Sequence, residues 1–164
     1  MTYSKMEDIK DPRFGGTYVE VDILNQHVFF YIDYELYYDG DCVSGLEYGH
    51  ATPSGIFSIQ DKERGRILEG YNSDGTVSYT AYVEYWMCFY PHYGLHDASW
   101  RDYFGGDIYL YDGSHGCVNL SRYTASMLYD AIDYDTPVII FRGQDDYAVP
   151  EDEIDPNTED SIAQ

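Results

Sequence analysis

The sequence predicts a mostly β single domain with one docked helix, and three observations carry that prediction. Thr17 to Leu24 and His27 to Tyr34 are strand-like runs, the first strictly alternating, separated only by Asn25-Gln26. Tyr79 to Tyr90 is built mostly of aromatic and β-branched residues. The chain also carries 20 tyrosines among its 164 residues, a residue at home on half-buried strands and in clefts. At that length a single domain with a real core is expected.

Residues 1–16 are polar, with Pro12, Gly15 and Gly16, and read as a lead-in. In Thr17 to Leu24, Val19, Val21 and Ile23 fall on one face and Tyr18, Glu20 and Asp22 on the other, the period-2 signature of a strand. Asn25-Gln26 then makes a tight hairpin with His27 to Tyr34, Asn suiting the positive φ of such a turn. Leu36 to Val43 reads as a further strand broken at Asp39-Gly40-Asp41. Thr52-Pro53-Ser54-Gly55 is a turn signal ahead of a short strand at Ile56 to Ile59. The charged, glycine-containing residues 60–77 mark a surface excursion. Tyr79 to Tyr90 belongs in the middle of a sheet and ends at Pro91, which cannot donate to a ladder.

Residues 91–107 read as a long loop carrying His92, His96, Asp97, Trp100, Arg101 and Gly105-Gly106, and Ile108 to Leu110 as another short strand. Ser121 is a helix N-cap, with Met127, Leu128, Ala131 and Ile132 on one helical face. Pro137 to Phe141 closes the fold as a buried strand, the proline tolerated at its first position. The expected domain organisation is a lead-in over 1–16, one domain over 17–142 and an acidic, disordered tail over 143–164.

The formal net charge is −21, from 30 acidic and 9 basic residues. That excludes nucleic acid, whose binding needs a cationic footprint, and disfavours an anionic membrane surface. It suits a cationic or amine-bearing substrate. No apolar run approaches the ~20 residues of a membrane span, and Met1 to Asp8 lacks a signal-peptide core. The chain is therefore either cytosolic or an excised soluble domain. Cys42, Cys88 and Cys117 make an odd count: one pair plus a reactive thiol, or two buried small hydrophobes beside it.

The chemistry centres on Ser114-His115-Gly116-Cys117, with Gly94-Leu95-His96-Asp97 upstream. Cys117 is the candidate nucleophile. A free thiol has a pKa of about 8.5, and a nearby imidazolium lowers it. Two histidines compete as base: His115 shares a face with Cys117 only in an extended segment, whereas His96 must be brought in by the fold. Asp97 offers a carboxylate or a carbonyl to hold the His96 tautomer. Backbone N–H groups around Gly116 can face a developing oxyanion. His92, His96, His115 and Cys117 are of metal-ligand type, but Pro91 and Gly94 break the helix that a His92/His96 pair would use, so no metal or other cofactor is expected.

These two blocks, in residues, order and spacing, resemble the signature of the L,D-transpeptidase (YkuD-type) catalytic domain family. Thr52-Pro53-Ser54-Gly55 is similar to that family's Thr-Pro-x-Gly turn. Trp100-Arg101 with Phe104-Gly105-Gly106 resembles Gram-positive members in particular. The resemblance implies a β barrel or sandwich with one helix near the catalytic loop. It implies Cys117 as the acylated nucleophile, His96 as general base, Asp97 as its orienter, and His115, Gly116 and Ser114 as the oxyanion loop. Trp100, Arg101, Asn119 and Tyr90 are the candidate substrate-binding positions. The implied reaction is attack on a peptidoglycan tetrapeptide stem with loss of D-alanine. Transfer to a side-chain amine then gives a 3→3 crosslink, in the cell wall, and carbapenems are the implied covalent inhibitors. The alternatives are hydrolysis of the same acyl-enzyme, an L,D-carboxypeptidase, or a silent wall-binding module. Cys88 departs from the family, where a proline often follows Trp-Met, and Asn119 is the choice of one subgroup where many relatives carry arginine.

Overall fold

A computed structural model describes residues 15–143. All of the expected tail but Gly143, and nearly all of the lead-in, lie outside the described residues. The strands are β1 (Tyr18–Asp22), β2 (His27–Ile32), β3 (Glu35–Val43), β4 (Gly55–Ser58), β5 (Asp61–Tyr71), β6 (Val77–Tyr90), β7 (Tyr93–Asp97), β8 (Val118–Leu120) and β9 (Pro137–Phe141). Two helices accompany them, α1 (Ile108–Tyr111) and α2 (Arg122–Ala131). All nine strands join one curled sheet in the order β4-β9-β1-β2-β3-β8-β7-β6-β5, with β1–β9 and β7–β8 parallel and the other pairs antiparallel. The mostly β prediction is borne out.

The β1–β2 hairpin forms, pairing Tyr18 with Tyr31 and Asp22 with His27, but its loop spans the four residues 23–26 and Asn25 does not take the positive φ expected of it. Gln26 takes the positive φ of its turn (50°), and Asp22 accepts hydrogen bonds from the Asn25 backbone and side chain. Both faces of β1 are buried. Val19, Val21 and Ile23 enter the main core with Phe30, Leu95, Leu120 and Leu128, while Tyr18 packs with Tyr31, Ile139 and Phe141 in a smaller cluster. Helix α2 begins at the expected cap: Ser121 Oγ accepts the Thr124 N–H. Its buried stripe runs through Thr124, Ala125, Leu128 and Ile132, with Met127 only half-buried.

Several expectations are corrected. β3 runs unbroken through Asp39-Gly40-Asp41, because Gly40 leaves room for Thr124 of α2 to press against the strand: a Cβ there would lie 2.8 Å from Thr124 Oγ1. Residues 61–71 are no excursion but the long strand β5. Here the stems of cations replace apolar residues. Lys62 and Arg64 lie over the Tyr129 and Tyr85 rings, and Arg66 over Trp86. Lys62 Nζ also donates to the carbonyls of Tyr129 and Ile132 at the C-terminal end of α2, where a positive charge is favoured. The expected long loop contains β7, so His96 and Asp97 sit on a strand. Ile108–Tyr111 is a helical turn, not a strand.

β6 is second from the sheet edge rather than central. Its C-terminal half is flanked by β5 and β7, while the part before Val83 pairs with β5 alone and is largely exposed. The three cysteines are free: Cys42 is buried in the core, and Cys88 and Cys117 are half-buried.

Candidate active site

The parallel pairing of β7 with β8 builds the site. Its register sets Leu95 opposite Val118, His96 opposite Asn119 and Asp97 opposite Leu120. Strand alternation then sorts the residues. Leu95, Val118 and Leu120 enter the core, while His96, Cys117 and Asn119 line a cleft of about 600 Å³. His96 on β7 and Cys117, just before β8, thus face the same space, although residues 98–113 separate the two motifs in sequence. The far wall is the β5–β6 hairpin, through Leu68 and Tyr79 to Tyr82, and Trp100 and Arg101 close the side beyond β7.

His96 is 3% exposed, and its Nδ1 is paired with the Asp97 carbonyl at 2.7 Å. That bond places the ring proton on Nδ1 and leaves Nε2 as a base. Trp86 stacks on the imidazole at 5.8 Å between centroids, and Trp100 lies at 6.0 Å. Gly94 makes the Trp86 contact possible, since a Cβ there would lie 2.8 Å from the indole ring. Burial pushes the His96 pKa below its ordinary value, opposed by Asp97. The imidazole is therefore neutral at pH 7.

Cys117 is partly exposed as a residue, but its thiol sits deep in the cleft. Sγ lies 3.7 Å from the His92 carbonyl, in the reach of a weak S–H hydrogen bond. Burial pushes the thiol pKa up to about 11, with the Gly94 backbone pulling the other way. The pair at rest is a neutral thiol and a neutral imidazole. The imidazolium that would depress the thiol pKa is absent because both groups are desolvated.

Asp97 resolves an alternative that the sequence left open. Its backbone carbonyl holds His96, while its carboxylate accepts the Glu84 and Tyr85 N–H groups at 3.1 and 2.7 Å, where β6 runs past the end of β7. Asp97→Ala should therefore destabilise the fold by about 2–3 kcal/mol, since it strands two N–H donors that a charged acceptor satisfies. Asp97→Asn, which keeps an acceptor, should cost less and leave the pH dependence of Cys117 alkylation by iodoacetamide unchanged. Chemical denaturation and a pH–rate profile check both.

The loop before Cys117 is held from several sides. Ser114 Oγ donates to the Cys117 carbonyl at 2.5 Å and accepts the Gly116 N–H at 3.1 Å. The Ser114 backbone bonds to Ser44 and Leu46. Thr52 Oγ1 donates to the Gly116 carbonyl at 2.7 Å while accepting the Gly45 N–H at 2.9 Å. The Thr-Pro-x-Gly turn is thus tied to the cysteine loop, 64 residues away in sequence. His115 is exposed, stacked on His50 at 4.6 Å and edge-on to Tyr79 at 4.7 Å. Its pKa is lowered by burial and then by His50.

This fold and motif pair match the family model of the L,D-transpeptidase catalytic domain, YkuD, over residues 16–140. The chain belongs to the YkuD family. Among curated proteins none matches it. Among solved structures, a cysteine-to-serine mutant of Enterococcus faecium L,D-transpeptidase is similar at 36% identity and a TM-score of 0.73, over 79% of this chain and 51% of that one. This chain therefore spans about half the length of that relative. The catalytic domain of the E. faecium enzyme, solved by NMR, shares 39% identity over 76% of this chain and 96% of that one, with a TM-score of 0.68. The same domain acylated by ertapenem is similar at 38% identity over 77% of this chain and 98% of that one, with a TM-score of 0.69.

In this YkuD domain, the structure gathers Cys117, His96, Ser114, His115, Asn119, Trp100 and Arg101 around one cleft. Gly116 shapes the loop at its rim. Tyr90 is placed elsewhere, packed on Phe57 and Tyr93. His92 contributes its carbonyl to the site, with a positive φ of 69°. Among the described residues no group of three or more His, Cys, Asp or Glu is arranged to hold a metal. Sequence reasoning missed the β5–β6 wall, the Thr52 tie and the His92 carbonyl. The tie alone had a signal, in the Thr-Pro-x-Gly turn; the polar 60–77 stretch hid the wall.

Proposed function

We propose that this domain is a cysteine transpeptidase of peptidoglycan, working on tetrapeptide stems in the cell wall outside the cytoplasm. The observation that carries the reading is that His96 on β7 and Cys117, just before the parallel strand β8, line one cleft. His96 Nε2 takes the Cys117 S–H proton as sulfur attacks the carbonyl of the third stem residue. The negative charge that develops on that oxygen falls by the 115–117 turn, whose Gly116 amide is already engaged by Ser114. As the C–N bond breaks, the imidazolium returns the proton to the departing amine of D-alanine, leaving a thioester. An acceptor amine then attacks, gives its proton to His96 and forms the 3→3 amide, and the thiol is restored. The chain's net charge of −21 favours approach of a cationic acceptor side chain.

Intact mass spectrometry after incubation with ertapenem tests the acylation step, with a single covalent adduct on Cys117 expected; no adduct would sink the reading. Incubation with a tetrapeptide stem separates the two fates of the thioester. Crosslinked dimer is expected; free tripeptide alone would make the protein an L,D-carboxypeptidase.

A further inference from the structure

The helices cover one face of the sheet, and the other face is buried without them. Tyr109 of α1 and Ala125 and Leu128 of α2 belong to the main core, together with Val19 and Val21 of β1. The alternate residues of β1 point the opposite way. There Tyr18, Tyr31, Ile139 and Phe141, with Phe29 and Ile56 beside them, form a cluster drawn wholly from β1, β2, β4 and β9. Among the described residues no second layer contributes to it. Yet Ile139 is 1% exposed, and Glu20, which the ladder sets between Ile139 and Phe29, is 2% exposed. A sheet face left to water does not hide its side chains so completely. Burial also pushes the Glu20 carboxyl up to about 8, with Asp22 adding to it. The burial ends at β3, where Asp39 opposite Phe29 and Asp41 opposite His27 are exposed. The missing layer thus has a footprint: an apolar centre over β9, β1 and β2, and an acidic rim along β3.

We propose that residues 1–14 of this chain dock across this outer face as its second layer, with apolar side chains over Tyr18, Ile139 and Phe141 and cations against the rim at Asp39 and Asp41. Charge selects this occupant. Residues 1–14 hold Lys5, Lys10 and Arg13, three of the chain's nine cations, along with Tyr3, Met6, Ile9 and Phe14. Residues 144–164 hold eight acidic residues and no cation, so Glu20, Asp22, Asp39 and Asp41 repel them. A second copy would bring its own net charge of −21. Attachment agrees with charge. The Gly16 carbonyl accepts the Tyr34 N–H, and a Cβ on Gly16 would lie 2.8 Å from the Asp33 backbone. The chain therefore enters β1 pressed against the β2–β3 turn, at the edge of the face beside Tyr18 and Tyr31. Fourteen residues span at most about 46 Å, and crossing from β9 to β3 takes only about 14 Å. None of the residues lining the cleft lies on this face, so the proposal stands apart from the acyl-transfer reading.

Carbodiimide treatment of the whole chain tests this, because a lysine forms an amide only with a carboxylate that it touches. Mixing unlabelled with nitrogen-15-labelled protein separates links within one molecule from links between two. Links within one molecule from Lys5 or Lys10 to Asp22, Asp39 or Asp41 are expected. Links confined to residues 1–14 or to the acidic residues after 143, links only between molecules, or no links at all overturn the proposal. Met6→Asp combined with Ile9→Asp should remove the expected links. It should also lower the melting temperature by about 5 °C or more, since two apolar side chains no longer suit a dehydrated face. Val149→Asp combined with Ile154→Asp makes the same change in residues 144–164 and should leave links and melting temperature as they are. A fall in melting temperature with the second pair and none with the first would assign the face to those residues instead. Acylation of Cys117 by ertapenem should run at the wild-type rate in both, which keeps this test separate from that of acyl transfer.

Discussion

Cys117→Ala is expected to take acyl transfer to background, a loss of at least about 10⁴-fold, and His96→Gln to slow acylation by about 10²–10⁴-fold. The asymmetry follows from the chemistry. Without Cys117 no thioester forms, whereas without His96 the thiol remains but must lose its proton unaided. That step is hard here, because burial holds the thiol pKa at about 11. The pH profile carries the diagnostic sign. His96 is held below its ordinary pKa by burial, so the acylation rate should climb with pH through that depressed value and be level by pH 7. No inflection should appear near pH 8.5, the ordinary range of a thiol. A rate that falls as pH rises through 6–7 would mean a thiolate–imidazolium pair instead. Stopped-flow acylation by ertapenem across pH 5–9 reads this directly. The same burial predicts acid lability. Below pH 6.5 the unfolded chain binds a proton at His96 that the native state refuses down to its lower pKa, so stability falls as pH drops across that window.

Gly116→Ala is expected to disable the site as thoroughly as loss of the base, while leaving most of the fold intact. Gly116 has a φ of +129°, a conformation side chains rarely adopt. A Cβ there would also lie 2.3 Å from the Tyr93 ring. The turn must therefore move, and both of its ties, Thr52 to the Gly116 carbonyl and Ser114 to the Gly116 amide, move with it. Backbone amides that meet a developing oxyanion act only in a fixed geometry, and loss of such a donor costs about 10²–10³-fold in rate. The expected readout is acylation slowed by at least that factor, with the melting temperature lowered by only a few degrees. Gly116→Ala combined with Tyr93→Ala removes the clash but not the backbone strain, so it should recover the rate only in part. Full recovery would show that the ring contact alone makes glycine necessary.

How legible the site was depended on which kind of contact made it. Cys117, His96 and Ser114 stood out because reactive side chains at glycine-rich positions have few structural uses. The role of Asp97 did not, since a carboxylate and a carbonyl on the same residue are indistinguishable in sequence, and only the path of β6 past the end of β7 assigned them. β5 was invisible to hydropathy because Lys62, Arg64 and Arg66 cover aromatic rings with their stems while counting as charges. β7 was hidden by its brevity, between a proline and a loop rich in polar residues. α1 was mistaken for a strand because a four-residue apolar run fits either period.

By itself the sequence determined the strand-rich core, the β1–β2 hairpin, the Ser121-capped helix and the two family motifs, all of which depend on local periodicity, turn chemistry or reactive residue types. Only the tertiary structure decided that β7 and β8 run side by side in parallel, that His96 is buried with its Nδ1 on the Asp97 carbonyl, and that burial raises the pKa of the Cys117 thiol in the same cleft. It also decided that Arg101 and Asn119 end in one cleft. Ladder register and desolvation join residues far apart in the chain, and no local pattern encodes either.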